Sequence, residues 1–140
     1  MKNININAFA DEASPLIDGQ IKAMLENGVS GLEMRNVDDI NVSDISPEKA
    51  KEVRQKLDGA GLITWSIGSP LGKIDIEKDD FGAEKEKLKR TLETADILGA
   101  KNIRLFSFYI PEGKNTDDYK NEVISRLGEF LDIAKDSGID

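Results

Sequence analysis

Neither cysteine nor histidine occurs in the 140 residues. The first absence excludes disulfides, thiol nucleophiles and cysteine-ligated zinc. The second excludes a Ser-His-Asp triad, an imidazole base and a histidine-rich metal site. Positive charge is also in short supply: 19 basic residues face 27 acidic ones, for a net charge of −8. A non-specific polyanion binder needs a basic face, so nucleic acid is not an expected partner. No 18-residue apolar run occurs, and Met1-Lys2-Asn3-Ile4-Asn5-Ile6 lacks the apolar core of a signal peptide. No membrane partner is expected, and the location predicted is cytoplasmic. What is present is 39% hydrophobic and 33% charged residues, enough to build one domain over residues 1–140.

A repeat organises the chain. Four times a helix-like stretch meets a glycine, then apolar residues, then a strand-like run. The instances are Asn27-Gly28-Val29, Ala60-Gly61-Leu62, Leu98-Gly99-Ala100 and Ser137-Gly138-Ile139. Glycine just past a helix is the favoured left-handed cap. Spacings of 33, 38 and 39 residues match one strand-plus-helix unit each. Four apolar stripes at helical spacing fill the intervals: Ile17, Ile21, Met24 and Leu25; Ala50, Val53, Leu57 and Ala60; Leu88, Leu92 and Ala95; Val123, Leu127, Phe130, Leu131 and Ala134. Ser14-Pro15 and Ser46-Pro47 read as N-caps followed by first-turn prolines. The predicted strands are about 4–9, 31–35, 62–67 and 102–108, each followed by a helix.

Alternating units of this kind imply an α/β fold with a parallel sheet and right-handed crossovers. A complete doubly wound, flavodoxin-like domain and half of a barrel both fit the length. Side-chain alternation favours the barrel. One parity carries Asn5, Asn7, Glu33, Arg35, Thr64, Ser66 and Arg104; the other carries Ile4, Ile6, Ala8, Leu32, Met34, Ile63, Trp65, Ile67, Ile103 and Leu105. Strands buried on both faces read instead as continuous apolar runs, whereas a polar face suits a barrel mouth. Eight units at this spacing would span roughly 290 residues, a usual size for such barrels. Gly138-Ile139-Asp140 stands where a fifth strand is expected to begin. The expectation is therefore a parallel (βα)4 half of a TIM barrel with strand order 1-2-3-4. A doubly wound sheet would give an order such as 2-1-3-4. A half-barrel also leaves its first and fourth strands as open edges, with Phe106 and Phe108 on the mouth-facing parity of the fourth, which predicts a homodimer or oligomer.

Candidate chemistry collects at the expected mouth. Glu33 and Arg35 leave one face of the second strand, and Arg104 joins them from the fourth. They read either as anchors for an oxygen-rich ligand or as an ion network bracing the barrel interior. The loop Ser66-Ile67-Gly68-Ser69-Pro70-Leu71-Gly72-Lys73 follows the third strand on the face where such folds bind ligands. It is not a P-loop, because Ile67 and Ile74 stand where glycine and a hydroxyl residue are needed. It reads as a turn or as a site where Lys73 meets an anion. Phe9-Ala10-Asp11-Glu12-Ala13-Ser14 replaces any dinucleotide-binding glycine motif. Its acids favour the start of the first helix or lie near a substrate. The run from Glu84 to Arg90 reads as a solvated helix face.

Gly31-Leu32-Glu33-Met34-Arg35, Ser69-Pro70-Leu71-Gly72-Lys73 and Ile103-Arg104-Leu105-Phe106-Ser107-Phe108-Tyr109 resemble the sugar phosphate isomerase/epimerase family, within the xylose isomerase-like TIM barrel superfamily. The resemblance covers four of eight βα units. It implies proton transfer between carbons of a small sugar or sugar phosphate through an enediolate, by two glutamates beside a divalent metal (Mn, Mg or Zn). The family's metal ligands and bases come from later strands, so no catalytic and no metal-binding residue is carried onto this chain. The fragment is expected to be inactive, or to serve as a non-catalytic binding module. What the resemblance does carry over is a substrate-binding wall of Glu33, Arg35, Ser69, Lys73, Arg104 and Tyr109. Apurinic endonucleases of the endonuclease IV type share the superfamily, but their first half holds zinc-binding histidines that this chain lacks.

Overall fold

The computed structural model describes residues 6–140. Four strands form one parallel sheet: β1 (Asn7–Ala8), β2 (Gly31–Met34), β5 (Ile63–Gly68) and β6 (Asn102–Arg104). They stand in the order β1-β2-β5-β6, which is chain order. The helices between and after them are α1 (Ile17–Glu26), α2 (Pro47–Ala60), α3 (Phe81–Leu98) and α4 (Lys120–Ala134). Sequential parallel neighbours make this a (βα)4 half-barrel. With β1 at the sheet's edge beside β2 alone, the flavodoxin-like alternative is excluded. Ile4 and Asn5 of the expected first strand lie outside the described residues.

The core forms where the sheet's outer face meets the helices. Leu32, Met34 and Ile67 pack there against Ile17 and Met24 of α1, Val53 and Leu57 of α2, and Ala95 and Leu98 of α3. A second core holds Leu71, Ile76, Leu88, Phe108 and Phe130 between α3, α4 and the loops after β5 and β6. Three stripe residues fall outside both: Leu25 and Leu131 are 54% and 70% exposed, and Ala134 is half-buried. Gly28, Gly61, Gly99 and Gly138 all take positive φ, as the repeat requires. Ser46 caps α2 by accepting from Lys49 N–H at 3.1 Å, ahead of Pro47. Ser14-Pro15 does not open α1. The helix starts at Ile17, and Ser14 Oγ instead accepts from Leu16 N–H at 3.2 Å.

Side-chain parity holds in β2 but not along β5. Leu32 pairs with Thr64, yet Glu33 pairs with Ser66, so Trp65 is an extra residue that shifts the register. Before this bulge the parity is the reverse of that expected. Thr64 is buried on the helix side with its hydroxyl unpartnered, while Ile63 and Trp65 stand 53% and 47% exposed on the open face. After it, Ser66 and Ile67 fall where alternation places them. β6 is also shorter than expected, ending at Arg104. Phe108 then takes φ 72° and turns away from the mouth, into the second core beside Phe81 and Phe130. The β6 edge is not bare. Asp140 N–H donates to Lys101 O at 2.7 Å, and Ile103 N–H donates to Asp140 O at 2.8 Å.

α3 corrects another expectation. Glu84 is buried, not solvated: its carboxylate accepts from Gly72 N–H at 2.9 Å and pairs with Lys87 at 3.1 Å. This contact ties the loop after β5 to α3. Gly72 has φ 79°, and a Cβ there would lie 2.0 Å from Phe106 O, so only glycine lets the two mouth loops meet.

An unforeseen antiparallel hairpin follows β2, with strands β3 (Asn36–Val37) and β4 (Ile40–Asn41). Its turn residues Asp38 and Asp39 have φ of 51° and 64°, as two-residue hairpin loops often require. Asp38 caps α1 from a distance, accepting from Ile17 N–H at 2.8 Å, and pairs with Lys49 of α2 at 2.5 Å. The Lys49 bond first, then the Ile17 N–H, hold the Asp38 carboxyl below its ordinary range. A lowered carboxyl stabilises the fold fully above its unfolded pKa of about 4 and loses that stabilisation as pH falls. Asp38→Ala is expected to cost about 1–2 kcal/mol in urea unfolding at pH 7, the usual worth of a lost cap. Asp38→Asn, which keeps an accepting oxygen, should cost less, and its deficit should shrink between pH 5 and pH 3. A deficit that does not change with pH would contradict this assignment.

Candidate functional site

The carboxyl ends of the parallel strands gather the polar residues the open face supplies. Arg35, just past β2, and Arg104, at the end of β6, stand on either side of Gly68 at the end of β5. A Cβ on Gly68 would lie 2.8 Å from Arg35 Cγ and 3.4 Å from Arg104 Nη2. The two guanidinium groups share one aromatic support: Arg35 lies 4.6 Å and Arg104 5.5 Å from the centre of the Phe9 ring. Phe106 forms the other wall, with Arg104 at 4.9 Å and Lys73 Nζ at 4.5 Å from its ring centre. Arg35, Asn36, Asn41, Gly68, Ser69, Pro70, Lys73 and Arg104 line a cleft of about 230 Å³ there, with no carboxylate among them.

The cations differ in what they already bind. Arg35 Nε donates to Asp11 Oδ2 at 3.0 Å, and its Nη2 donates to Asp11 Oδ1 at 2.9 Å and to Glu12 Oε1 at 2.5 Å. Asn36 Nδ2 adds a bond to Asp11 at 2.8 Å. These acids, Asp11 first, push the Arg35 guanidinium well above its already high pKa, so its charge is permanent. Asp11 and Glu12 thus serve Arg35 rather than the first turn of α1. Arg104 is different: its Nε is buried without a hydrogen-bond partner among the described residues.

Other predicted residues divide between bracing and exposure. Ser69 is buried, its hydroxyl donating to Arg104 O at 2.6 Å and accepting from Leu71 N–H at 3.3 Å. It holds the β5 loop to β6 and leaves little for a ligand. Glu33 is half-buried on the open face opposite Ser66, below the cleft. Tyr109 is 56% exposed and outside the cleft; its backbone N–H donates to Ile74 O at 2.8 Å. The structure therefore brings Arg35, Ser69, Lys73 and Arg104 together, and leaves Glu33 and Tyr109 apart. Phe9, Asn36 and Asn41 also belong to the cleft or its frame and carry no sequence signal for it; Asp11, which the sequence places at the first helix or near a substrate, and Phe106, on the expected mouth-facing parity, join them. Among the described residues no three carboxylates converge on one point. With Asp11 and Glu12 occupied by Arg35, these side chains do not make a divalent-cation site. Nor, among the described residues, is any helix long and apolar enough to cross a membrane.

Comparison with known proteins agrees with this geometry. A profile described as "Xylose isomerase-like TIM barrel" matches residues 21–140. The 2-oxo-tetronate isomerase of Haemophilus influenzae is 28% identical over 99 residues, covering 64% of this chain and 38% of that protein. A D-allulose 3-epimerase from Methylomonas sp., solved with D-allulose, superposes with a TM-score of 0.68 at 17% identity, over 100% of this chain and 50% of its own. A xylose isomerase-like TIM barrel protein from Mycobacterium smegmatis, solved with magnesium, gives 0.66 at 17% identity, over 97% and 53%. The chain thus spans about half the length of these solved relatives. With its sequential parallel strands and its cleft at their carboxyl ends, the chain belongs to the xylose isomerase-like TIM barrel family.

Proposed function

We propose that this chain supplies the first half of the substrate pocket of a sugar or sugar-phosphate isomerase/epimerase. The observation that carries the reading is the cluster of Arg35, Lys73 and Arg104 at the carboxyl ends of sequential parallel strands, where barrels of this kind bind substrate. The relatives support it: one is named as an isomerase, and another is an epimerase solved with a sugar. In this reading the reaction moves a proton between neighbouring carbons through an enediolate. That chemistry needs a base placed at each carbon and stabilisation of the developing oxyanion. Arg104 and Lys73 would hold and orient substrate oxygens. Arg35, fixed by Asp11 and Glu12, would shape the wall and contribute fixed positive charge. The proton-transferring carboxylates and the implied divalent cation take their residues from outside these 140.

Titration with a ketose should move the amide resonances of Gly68, Lys73 and Arg104 in a saturable way. The same chain with Mn²⁺ or Mg²⁺ should show no exchange of substrate carbon-bound hydrogen with deuterated solvent. Undisturbed resonances in a folded chain would overturn the pocket, and measurable exchange would overturn the inactivity of the fragment.

We also propose that the isolated chain self-associates. Among the described residues β1 pairs on one side only, and the flank of β6 carries an apolar groove of about 530 Å³ lined by Leu92, Ile103, Leu105, Leu127, Leu131 and Ile139. A second copy supplies both a pairing edge and apolar cover. Sedimentation equilibrium at micromolar concentration should give a dimer or larger species. A 15.4 kDa monomer with a cooperative melt would contradict it.

A further inference from the structure

The three cations of the cleft are not equivalent, and their differences point to a ligand chemistry. We propose that Lys73 and Arg104 form an anion subsite that takes the carboxylate or phosphate group at one end of a short sugar-like ligand. This rests on, and sharpens, the reading of the cleft as a sugar pocket.

Charge is the first argument. A chain of net charge −8 places three cations and no acid on the lining of one small cleft. Acidic residues are plentiful elsewhere, and many of the described surface cations are paired with them. Lys22, Lys49, Arg54, Lys56, Lys85 and Lys89 all have a carboxylate within 4.0 Å. Among the described residues, Lys73 and Arg104 have none; Lys51, Arg90, Lys101, Lys114, Lys120 and Lys135 also lack one, but only Lys73 and Arg104 of these line the cleft. Clustered like charges repel, so such a site is favourable chiefly when an anion enters it.

Hydrogen-bond accounting is the second argument. Arg35 spends its guanidinium on Asp11 and Glu12, so it is already neutralised. Arg104 keeps a buried Nε–H with no acceptor. A buried donor left unmade is unfavourable, and a planar guanidinium offers a paired fork suited to carboxylate or phosphate oxygens. A neutral hydroxyl satisfies one donor but leaves both charges uncompensated.

Support is the third. Lys73 Nζ and the Arg104 guanidinium both lie against the ring of Phe106, which stations them without occupying their N–H groups by an anion. Ser69 fixes the backbone of Arg104 through its carbonyl, and Gly72 admits Phe106 O at a distance no side chain allows. The two free cations are thus held by braces that do not compete with a ligand.

The test compares ligands of one length on the 140-residue chain by NMR titration at constant ionic strength. A four-carbon aldonate, a tetritol phosphate and the neutral tetritol are the probes. The expected result is that at least one acid binds tenfold or more tighter than the tetritol, with Arg104 Nε–H among the largest shifts. Preference for the aldonate assigns a carboxylate, and preference for the tetritol phosphate assigns a phosphate. Arg104→Gln and Lys73→Gln should each weaken the acid by about tenfold and the tetritol by clearly less, so that the preference for the acid falls. Lys73 is exposed, so K73Q keeps the test decisive even if R104Q fails to fold. Equal binding of acid and tetritol would overturn the anion subsite while the sugar-pocket reading stands. Binding of none of the three by a folded chain would overturn both.

Discussion

The mouth of this half-barrel depends on the absence of a side chain at Gly68. A Cβ on Gly68 would clash with Arg35 Cγ at 2.8 Å and crowd Phe9 Cε1 at 3.2 Å, and it would touch Arg104 Nη2 at 3.4 Å. Its φ is not in the left-handed region, so the requirement is for room rather than for an unusual backbone. Because β5 ends in glycine, arginines from both flanking strands reach over it and share the Phe9 face. The extra residue at Trp65 sets which position of β5 arrives at this point. Without that shift, the inward position at the strand's end would carry a different residue and the cleft would have a different floor.

Around this notch most residues hold one another in place, and two are left for the ligand we propose. Asp11, Glu12 and Asn36 immobilise Arg35; Ser69 ties the β5 loop to the backbone of Arg104; Glu84 ties Gly72 to α3. The Asp11, Ser69 and Glu84 braces lie among groups of limited exposure, where a hydrogen bond is firm and an unmade one is unfavourable; the Glu12 carboxylate is exposed. Lys73 and Arg104 are the cations left over. Rigid surroundings with uncommitted charges are the arrangement expected of a pre-organised binding wall, since little ordering remains to oppose binding. The wall is one-sided. The solved relatives are about twice as long, and the open face with Ile63 and Trp65 is where a second half of such a barrel would lie.

Much of this was legible in the residues. The glycines at 28, 61, 99 and 138 and the apolar stripes located four βα units, and the order of the strands followed from barrel topology. Arg35, Ser69, Lys73 and Arg104 were legible as a group because they end successive strands or follow them. Other features had no local signal. The bulge in β5 arises from pairing with β2, not from any residue type in Ile63-Thr64-Trp65-Ser66, so alternation misassigned Thr64. The partnership of Arg35 with Asp11 spans 24 residues, and periodicity carries no information about it. Phe108 in a left-handed conformation is an outcome of Gly72 and the two rings beside it, which outweigh the intrinsic preference of phenylalanine. Charge alternation from Glu84 suggested solvation, whereas the helix register turned that one acid inward.

The central claim is that one notch in the sheet positions both arginines. The direct measurement is the Nε–Hε spectrum of Gly68→Ala beside that of the unaltered chain, with amide dispersion as the check on folding. The account predicts a folded variant in which the Arg35 and Arg104 side-chain signals both move, while those of Arg54 and Arg126, remote from the notch, stay in place. Unmoved Arg35 and Arg104 signals in a folded Gly68→Ala chain would contradict it.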